Sequence, residues 1–405
     1  MTAWQRNVFA VATASFVGFT GFTVVMPFLP LYLQQLGVRD VGEVAMWSGL
    51  SLGVTPAITA LLAPFWGRVS DRFGRKLMVE RSLVSFIFLM GGMAYATHPW
   101  HVFALRAAQG LFAGYGGIAL TMAAESAPKE RTAFAIGTVQ TAQRLGPALG
   151  PVIGGTVAQF VGLRNAFLMT SGFYVVALLI VFFLYDEQLG RHEKASAPPA
   201  GVRFRSVLAF ENFILLMAVI FGLQIVDRSY GPILPLFVSA LGTPTERVPL
   251  VAGLIFSAAA AAGAVGNQLC ARLLRAWPAR SLIAAAAAIG AVGAAAFAIA
   301  PTTAFVFAAT PILGIALGTA TTTAYTAASS VMPAASRGAG FGLLTTAALV
   351  GLALSPILSG FLAATSIRAV FIVDVVVLLV IAAAVPRLMV AARLDHPTAP
   401  ATEEL

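Results

Sequence analysis

The chain has 405 residues, of which 59% are hydrophobic and 10% are charged. Soluble domains carry about 25% charged residues, so this composition excludes a water-soluble globule and predicts a protein whose solvent is largely lipid. A single cysteine, Cys270, excludes an internal disulfide and a cysteine-clustered metal site, and neither a metal nor a cofactor is expected.

Apolar runs long enough to cross a bilayer, roughly 20 residues each, alternate with short polar breaks along the chain. The first run has no small-residue cleavage site behind it, so it is predicted to be a retained span and not a signal peptide. We number the predicted membrane spans 1 to 12 in chain order: 8–36, 45–66, 77–97, 102–124, 134–160, 165–185, 208–239, 248–270, 281–299, 303–327, 338–363 and 367–391.

The longest hydrophilic stretch, residues 186–206, lies between spans 6 and 7 and is predicted to be a cytoplasmic linker. It separates an N-terminal six-helix bundle, 1–185, from a C-terminal six-helix bundle, 207–393. Residues 394–405 are predicted to form a cytoplasmic tail.

The positions of the lysine and arginine residues predict how the spans are oriented. Of the 25 such residues, three lie deep within spans (Arg106, Arg144 and Arg228), and four lie in the loops on one side or at their edges: Arg39, Arg164, Arg247 and Arg368. The rest fall on the side that also holds both termini. This asymmetry is the positive-inside signature, which predicts cytoplasmic termini and accounts for the net charge of +9 without a nucleic-acid partner.

Three sequence phrases of the first half recur in the second half. The pairs lie 204 or 205 residues apart: PFLPLYLQQLG (27–37) with PILPLFVSALG (232–242), GPALGPVIGG (146–155) with GLALSPILSG (351–360), and GLRNAF (162–167) with SIRAVF (366–371). The repeats predict two bundles of the same topology. Parallel repeats about an axis along the membrane normal are typical of transporters that alternate access by rocking one half on the other.

Span 5 carries a motif of glycine and proline. Gly146, Gly150 and Gly154 recur every four residues, which leaves one smooth helix face where a neighbouring backbone can approach closely. Pro147 and Pro151 remove backbone donors and permit a bend. The motif ends with Gly155.

Charged and polar residues within the spans are candidates for function, because a charge at mid-bilayer costs at least ~2.5–3.5 kcal/mol. In span 4, Arg106 lies one turn from Gln109, and in span 5, Arg144 lies one turn from Gln140. Asp374 in span 12 is a further candidate for proton coupling, although a structural partner is the favoured interpretation.

Span 7 carries Gln224, Asp227 and Tyr230 at three-residue steps, which predicts a polar stripe on one face of a proline-interrupted helix. Such a face is expected of a cavity wall, and Asp227 is the first candidate for the proton carrier. A buried structural ion pair with an arginine of another helix is the alternative. Phe22 and Met26 in span 1 are candidates for an adaptable apolar wall of the same cavity.

The motifs resemble those of the drug–proton antiporter branch of the major facilitator superfamily. GRVSDRFGRK (67–76) is similar to the superfamily's loop between helices 2 and 3, LRAAQG (105–110) to its helix-4 signature, and GPALGPVIGG to its helix-5 antiporter motif. The whole chain resembles bacterial multidrug exporters of the tetracycline-efflux type. The resemblance implies the superfamily's fold: an all-α membrane protein with twelve transmembrane helices in two pseudo-symmetric six-helix bundles.

The resemblance also implies roles for the motif residues. Arg106 is implicated in proton exchange, and the span-5 motif in sealing the outer side and forming part of a hinge. A plain positive-inside anchor would need neither the aspartate nor the glycines of the first loop, so we favour a cytoplasmic latch there. Its predicted members are Gly67, Asp71, Arg72, Gly74, Arg75, Lys76, Glu125 and Arg131.

The sequence therefore predicts a secondary transporter of the bacterial inner membrane, active as a monomer, that contributes to antibiotic resistance. The expected reaction is proton-coupled antiport, by alternating access, of small amphipathic drugs or toxic compounds. A dedicated exporter of an endogenous metabolite, such as a siderophore or a sugar derivative, is the alternative. An enzyme is not expected, since the sequence shows no nucleophile–base pair and no metal-binding constellation.

Overall fold

The computed structural model describes residues 1–186, 208–333 and 336–390. Some side chains within these ranges are not described: Pro64, Gly67, Asp71, Tyr115, Lys129, Arg337 and Gly338. The described chain is built of helices and contains no β-strand, which confirms the all-α prediction. The predicted tail and all but the first residue of the predicted linker lie outside the described residues, so the domain boundaries stay predictions.

The helices follow one another in the order of the predicted spans. They are α1 (Ala3–Val24), α2 (Leu29–Gln35), α3 (Val41–Phe73), α4 (Arg75–Ala94), α5 (Pro99–Phe112), α6 (Tyr115–Ser126), α7 (Thr132–Val161), α8 (Leu163–Leu184), α9 (Phe213–Ser229), α10 (Leu234–Ala240), α11 (Val248–Leu273), α12 (Ala279–Ile299), α13 (Thr303–Ser330), α14 (Arg337–Ala363) and α15 (Ile367–Leu388). Spans 1, 4 and 7 each consist of two helices in succession, and each other span is a single helix.

The interruptions of spans 1 and 7 follow from their prolines. Proline cannot donate a backbone hydrogen bond and its ring clashes with the preceding turn, and the breaks at 25–28 and 230–233 hold Pro27 and Pro232. The two helices of span 7 meet at an angle of 45°. The break in span 4 was not predicted, and it has a different cause: Gly114 adopts φ +114°, a left-handed conformation that ends the helix.

Eight of the described helices are long and apolar enough to cross a membrane, or nine spans if the bent pair α9 and α10 is counted as one. The interruption of span 4 leaves helices of 14 and 12 residues, and Gln140, Gln143 and Arg144 add polarity to α7. Twelve crossings stay a prediction, with which the order of the helices agrees.

The two halves repeat in their contacts as well as in their sequence. Tyr32 packs on Phe167 with ring centroids 4.9 Å apart, and Phe237 packs on Phe371 at 5.1 Å in the equivalent place. The buried Asn7 likewise exchanges hydrogen bonds with the backbone of Asp186, as Asn212 does with that of Val390. Each asparagine ties the first span of its half to the end of the sixth.

The halves meet along two seams, span 2 with span 11 and span 5 with span 8. Both seams are glycine contacts. A Cβ on Gly360 would lie 2.6 Å from the carbonyl oxygen of Ala45, and one on Gly253 would collide with the carbonyl of Pro151. The Ser257 hydroxyl accepts a hydrogen bond of 3.2 Å from the Val152 amide across the second seam.

These seams lie toward one end of the bundle. We call it the outer end, after the orientation that the lysine and arginine positions predict, and the opposite end the inner end. The faces that form the seams continue toward the inner end, and there they are exposed, at Arg144 in span 5, Gln268 in span 8 and Thr346 in span 11. The halves therefore close on each other at the outer end and leave a cleft that opens inward.

The outer seam should weaken when a glycine in it gains a side chain. Overpacking a close contact costs about 1–3 kcal/mol, and the atom facing Gly253 is a backbone oxygen that cannot swing aside. We expect Gly253→Ala to raise the thiol-labelling rate of a Leu52→Cys reporter roughly tenfold. The reporter is placed in a Cys270→Ser background. Leu52 is buried, so its label reports an opening of the contact between the halves.

Gly263→Ala in the same span is the matched control, since a Cβ there would lie at an ordinary 3.7 Å from the nearest described atom, the Gly314 carbonyl oxygen. Equal labelling rates in the two variants would show that the seam does not depend on the close approach at Gly253.

Candidate functional site

The last turn of α9 holds an ion pair beside the break in span 7. The Asp227 carboxylate and the Arg228 guanidinium lie 3.0 Å apart, and their side chains are 35% and 32% exposed. Gln224, one turn earlier, lies against Gly351 of span 11. Asp227 thus keeps access to water while its charge is balanced by its own neighbour in sequence.

Tyr230, the third member of the predicted stripe, is buried among aromatic rings of the second half. Its ring stacks on Phe256 with centroids 5.7 Å apart and planes 22° apart, and it lies 6.5 Å from the ring of Phe297. The helix ends at Ser229, but the backbone of Tyr230 is still helical, with φ −80° and ψ −6°. Its part in a cavity wall stays a prediction.

Asp374 lies behind span 7, in the core of the second half. Its side chain is 2% exposed, and its Oδ2 lies 2.6 Å from the hydroxyl oxygen of Ser229. That hydroxyl also lies 3.0 Å from the carbonyl oxygen of Val226. The Ser229 hydroxyl is the donor in both contacts, so the Asp374 carboxylate and the Val226 carbonyl share its single proton.

Arg106 is fully buried in the first half. Its Nη1 donates to Gln109 Oε1 at 3.1 Å, and the guanidinium lies 5.9 Å from the centroid of the Phe22 ring. Its Nε and Nη2 have no hydrogen-bond partner among the described residues. The predicted pairing of Arg106 with Gln109 is thus present, and no carboxylate of the described chain joins it.

Gln140 and Arg144 are both exposed on span 5. They occupy the helix face that holds Pro151 and Gly155 farther out, because residues 4, 7 and 11 apart share a face of an α-helix. Gly155 and Pro151 contact span 8 in the outer seam. The two polar residues therefore line the inward cleft, at the point where spans 5 and 8 separate.

The span-5 glycines pack on span 1. A Cβ on Gly146 would lie 2.8 Å from the Thr20 amide, and Cβ atoms on Gly150 and Gly154 would also meet the backbone of span 1. Met26, in the break of span 1, lies near Gly231, in the break of span 7. The two breaks therefore lie side by side. Pro147 is half-buried within the helix.

The predicted latch residues lie at the inner end of the first half. Arg75 forms an ion pair with Glu125, and Lys76 donates to the carbonyl oxygens of Phe182 and Tyr185 at 2.9 Å each. Arg72 and Arg131 are exposed, and Gly74 adopts φ +97° in the turn. The side chains of Gly67 and Asp71 lie outside the described set, so the part of the aspartate in a latch stays a prediction.

The sequence profile of the Major Facilitator Superfamily matches residues 11–347. The chain belongs to the Major Facilitator Superfamily. This confirms the resemblance drawn from the three motifs and makes the protein a multi-pass membrane protein of a transporter family.

Several curated members of the superfamily are similar to the chain over much of its length. A Lactococcus lactis protein named as a multi-drug resistance efflux pump PmrA homolog is 33% identical over 270 residues, which are 67% of this chain and 66% of that protein. The multidrug resistance protein MdtG of Serratia proteamaculans is 35% identical over 254 residues, 63% of this chain and 62% of that protein. The matches thus span slightly less than two thirds of the relatives' own length.

Solved structures of other transporters share the fold. A bacterial homolog of the human lysosomal transporter Spinster, in an inward-facing and unoccupied conformation, superposes with a TM-score of 0.80 at 18% identity, over 95% of this chain and 96% of that one. The nucleoside transporter NupG superposes with a TM-score of 0.73 at 13% identity, over 94% and 100% of the two chains. At these identities the likeness concerns the fold alone.

Arg81 of span 3 has a structural role that the sequence did not predict. Its guanidinium lies 3.4 Å from the centroid of the Trp66 ring and donates to the carbonyl oxygen of Phe112 at 2.9 Å. Trp66 Nε1 donates to the carbonyl of Leu111 at 2.7 Å. These two side chains satisfy carbonyls left open by the break at Gly114. The available sequence signal for this contact was a tryptophan and an arginine near the ends of neighbouring spans.

The contact of Ser229 with Asp374 should stabilise the second half of this transporter-family protein. Ser229→Ala removes the only described hydrogen-bond partner of the Asp374 side chain, and an unsatisfied buried polar group costs about 1–3 kcal/mol. We therefore expect a lower melting temperature for Ser229→Ala, measured by intrinsic fluorescence in detergent.

Ser359→Ala is the control, since Ser359 is equally buried and bonds within its own helix, to the carbonyl of Pro356. A melting temperature that falls by the same amount in both variants would argue against a special part for the contact with Asp374.

Proposed function

We propose that this protein is a secondary active transporter that exports small amphipathic drugs or toxic compounds in exchange for protons, by alternating access. The observation that carries the proposal is the cleft between the halves, which is sealed at the outer end and open at the inner end, with the partly exposed ionisable pair Asp227–Arg228 in span 7. The efflux pumps among the relatives support export and a drug-like cargo.

Rocking of the halves is supported by the kind of contact between them. Among the described residues the seams hold close glycine contacts and one hydrogen bond, from the Val152 amide to Ser257. Where a glycine faces a backbone, no side chain of that residue must leave its rotamer when the surfaces part. The breaks in spans 1 and 7 supply flexible points next to the cleft.

Asp227 is the proposed proton carrier. In the inward-open form its carboxylate is paired with Arg228 and partly exposed, so a proton from the inner side would compete with the arginine for it. Protonation would release Arg228, and deprotonation would restore the pair. In this proposal Arg106 tunes the field in the first half, and Asp374 holds span 7 in place.

The remaining features follow the predicted topology. We propose that the protein works as a monomer in the bacterial inner membrane, with both termini in the cytoplasm and with lipid around the exposed apolar faces of spans 3, 6, 9 and 12. The inner-end residues Arg72, Arg75, Lys76 and Glu125 would serve as the latch that opens and closes with the cleft.

Transport in proteoliposomes tests the proposal. Purified protein is reconstituted with an imposed pH gradient, and the movement of three amphipathic dyes is followed: anionic anilinonaphthalene sulfonate, cationic ethidium and neutral Nile red. Wild-type protein should move at least one dye only when the gradient is present. Asp227→Asn should lose gradient-driven transport, because the amide cannot carry the proton, while exchange of dye without a gradient persists.

Asp40→Asn is the matched control, since Asp40 caps α3 at the outer end and asparagine caps a helix equally well. Gradient-driven transport that survives in Asp227→Asn would refute the role of Asp227 as the proton carrier. If Asp374→Asn then loses gradient-driven transport, the role passes to Asp374.

A further inference from the structure

Arg144 is an unpaired cation in the wall of the cleft. It lies near the middle of α7, and its side chain is exposed, on the face that forms the outer seam one to three turns farther along. Apolar residues of the same helix mark the lipid face on another side, among them Leu145 and Leu149. The described residues offer Arg144 neither an ion pair nor a hydrogen bond.

The surroundings of Arg144 contain no anion to balance it. Asp227 is already paired with Arg228, and Asp374 is buried behind span 7. Arg106, the other charged residue in the middle of the first half, is also positive. Among the described residues, Arg144 therefore stands in the cleft as a positive charge without a counter-charge.

Closing the inner end would not supply a partner either. Span 8 faces span 5 across the cleft, and α11 (Val248–Leu273) contains no acidic residue in its sequence. The face that would approach Arg144 continues inward from Ser257 through a run of alanines, 258–262, to Gln268. Closure would thus bury the guanidinium against small apolar side chains, and a buried unpaired charge is strongly unfavourable.

We infer that Arg144 binds the anionic group of the substrate, and that the exported compounds are amphipathic anions such as carboxylates and sulfonates. The inference rests on the proposed function and names the substrate class of the same cleft. A guanidinium binds planar or tetrahedral oxyanions through several donors at once. Gln140, one turn away on the same face, adds an amide donor.

This arrangement makes closure depend on the cargo. With the cleft empty, the cost of burying Arg144 holds the inner end open. An anionic substrate neutralises the guanidinium, so the closed form becomes accessible, and the apolar part of the substrate covers the alanine face of span 8. A cation gains nothing at this position and leaves the cost of closure in place.

Equilibrium binding to the protein in nanodiscs tests the inference without requiring transport. The probes are anilinonaphthalene sulfonate and ethidium, and the Kd of each is measured by fluorescence against empty nanodiscs. Loss of a hydrogen-bonded charged partner costs a factor of about 10 to 100 in affinity. We expect Arg144→Gln to weaken binding of the sulfonate at least tenfold and to leave ethidium unchanged, while Arg144→Lys retains the sulfonate within about threefold of wild type.

Arg164→Gln is the matched control, because Arg164 is an exposed arginine at the outer end, away from the cleft. Unchanged sulfonate binding in Arg144→Gln, or equal loss of both dyes, would overturn the assignment. If ethidium is driven by the pH gradient and the sulfonate neither binds nor moves, the proposed export stands and the anionic substrate class falls. If the sulfonate binds through Arg144 and no dye responds to the gradient, the binding site stands and proton-coupled export falls.

Discussion

The close approach of backbone to backbone between the halves is the constraint on which the rest of the structure depends. Gly49, Gly53, Gly155, Gly253 and Gly360 bring spans 2 and 11, and spans 5 and 8, into contact at the outer end. In lipid the hydrophobic effect does not drive helices together, so tight packing of small residues must. Because the contact is confined to one end, the other end is free to separate, and the cleft is a consequence.

The few charges in the spans have distinct surroundings, and their surroundings separate their roles. Asp227 and Arg228 balance each other at the edge of the cleft, and Asp374 is satisfied by Ser229 within the second half. Arg144 is exposed to the cleft and has no described partner. The scaffold is duplicated while this chemistry is not, since span 1 carries Phe22 and Thr23 where span 7 carries Asp227 and Arg228.

Much of the fold was predictable because the sequence repeats and because its spans contain few charged residues. The offset of 204 or 205 residues extends to pairs that the sequence analysis did not use, such as Asn7 and Asn212, whose hydrogen bonds are equivalent. Proline marked the breaks of spans 1 and 7. The break of span 4 depends on Gly114 and on side chains from two other spans, Trp66 and Arg81, and no local pattern contains that information.

The candidate site was less predictable than the fold, since its contacts join distant residues. The partner of Asp374 lies 145 positions away, and the exposure of Arg144 depends on where spans 5 and 8 separate. Helical spacing did place Gln140 and Arg144 on one face. It did not contain the ring contacts of Tyr230 with Phe256 and Phe297, which are 26 and 67 positions away.

In the proposed transport cycle the halves rock, so that contacts form at one end while the other end opens. Distances between spin labels, measured by double electron–electron resonance in nanodiscs, test it most directly. One pair joins the inner ends of spans 5 and 8, at Ala133→Cys and Ala271→Cys, and a second pair joins their outer ends, at Val161→Cys and Glu246→Cys, both in a Cys270→Ser background. Addition of a transported dye should shorten the inner distance and lengthen the outer one in the same molecules. Distances that both stay fixed, or that change in the same direction, would contradict the account.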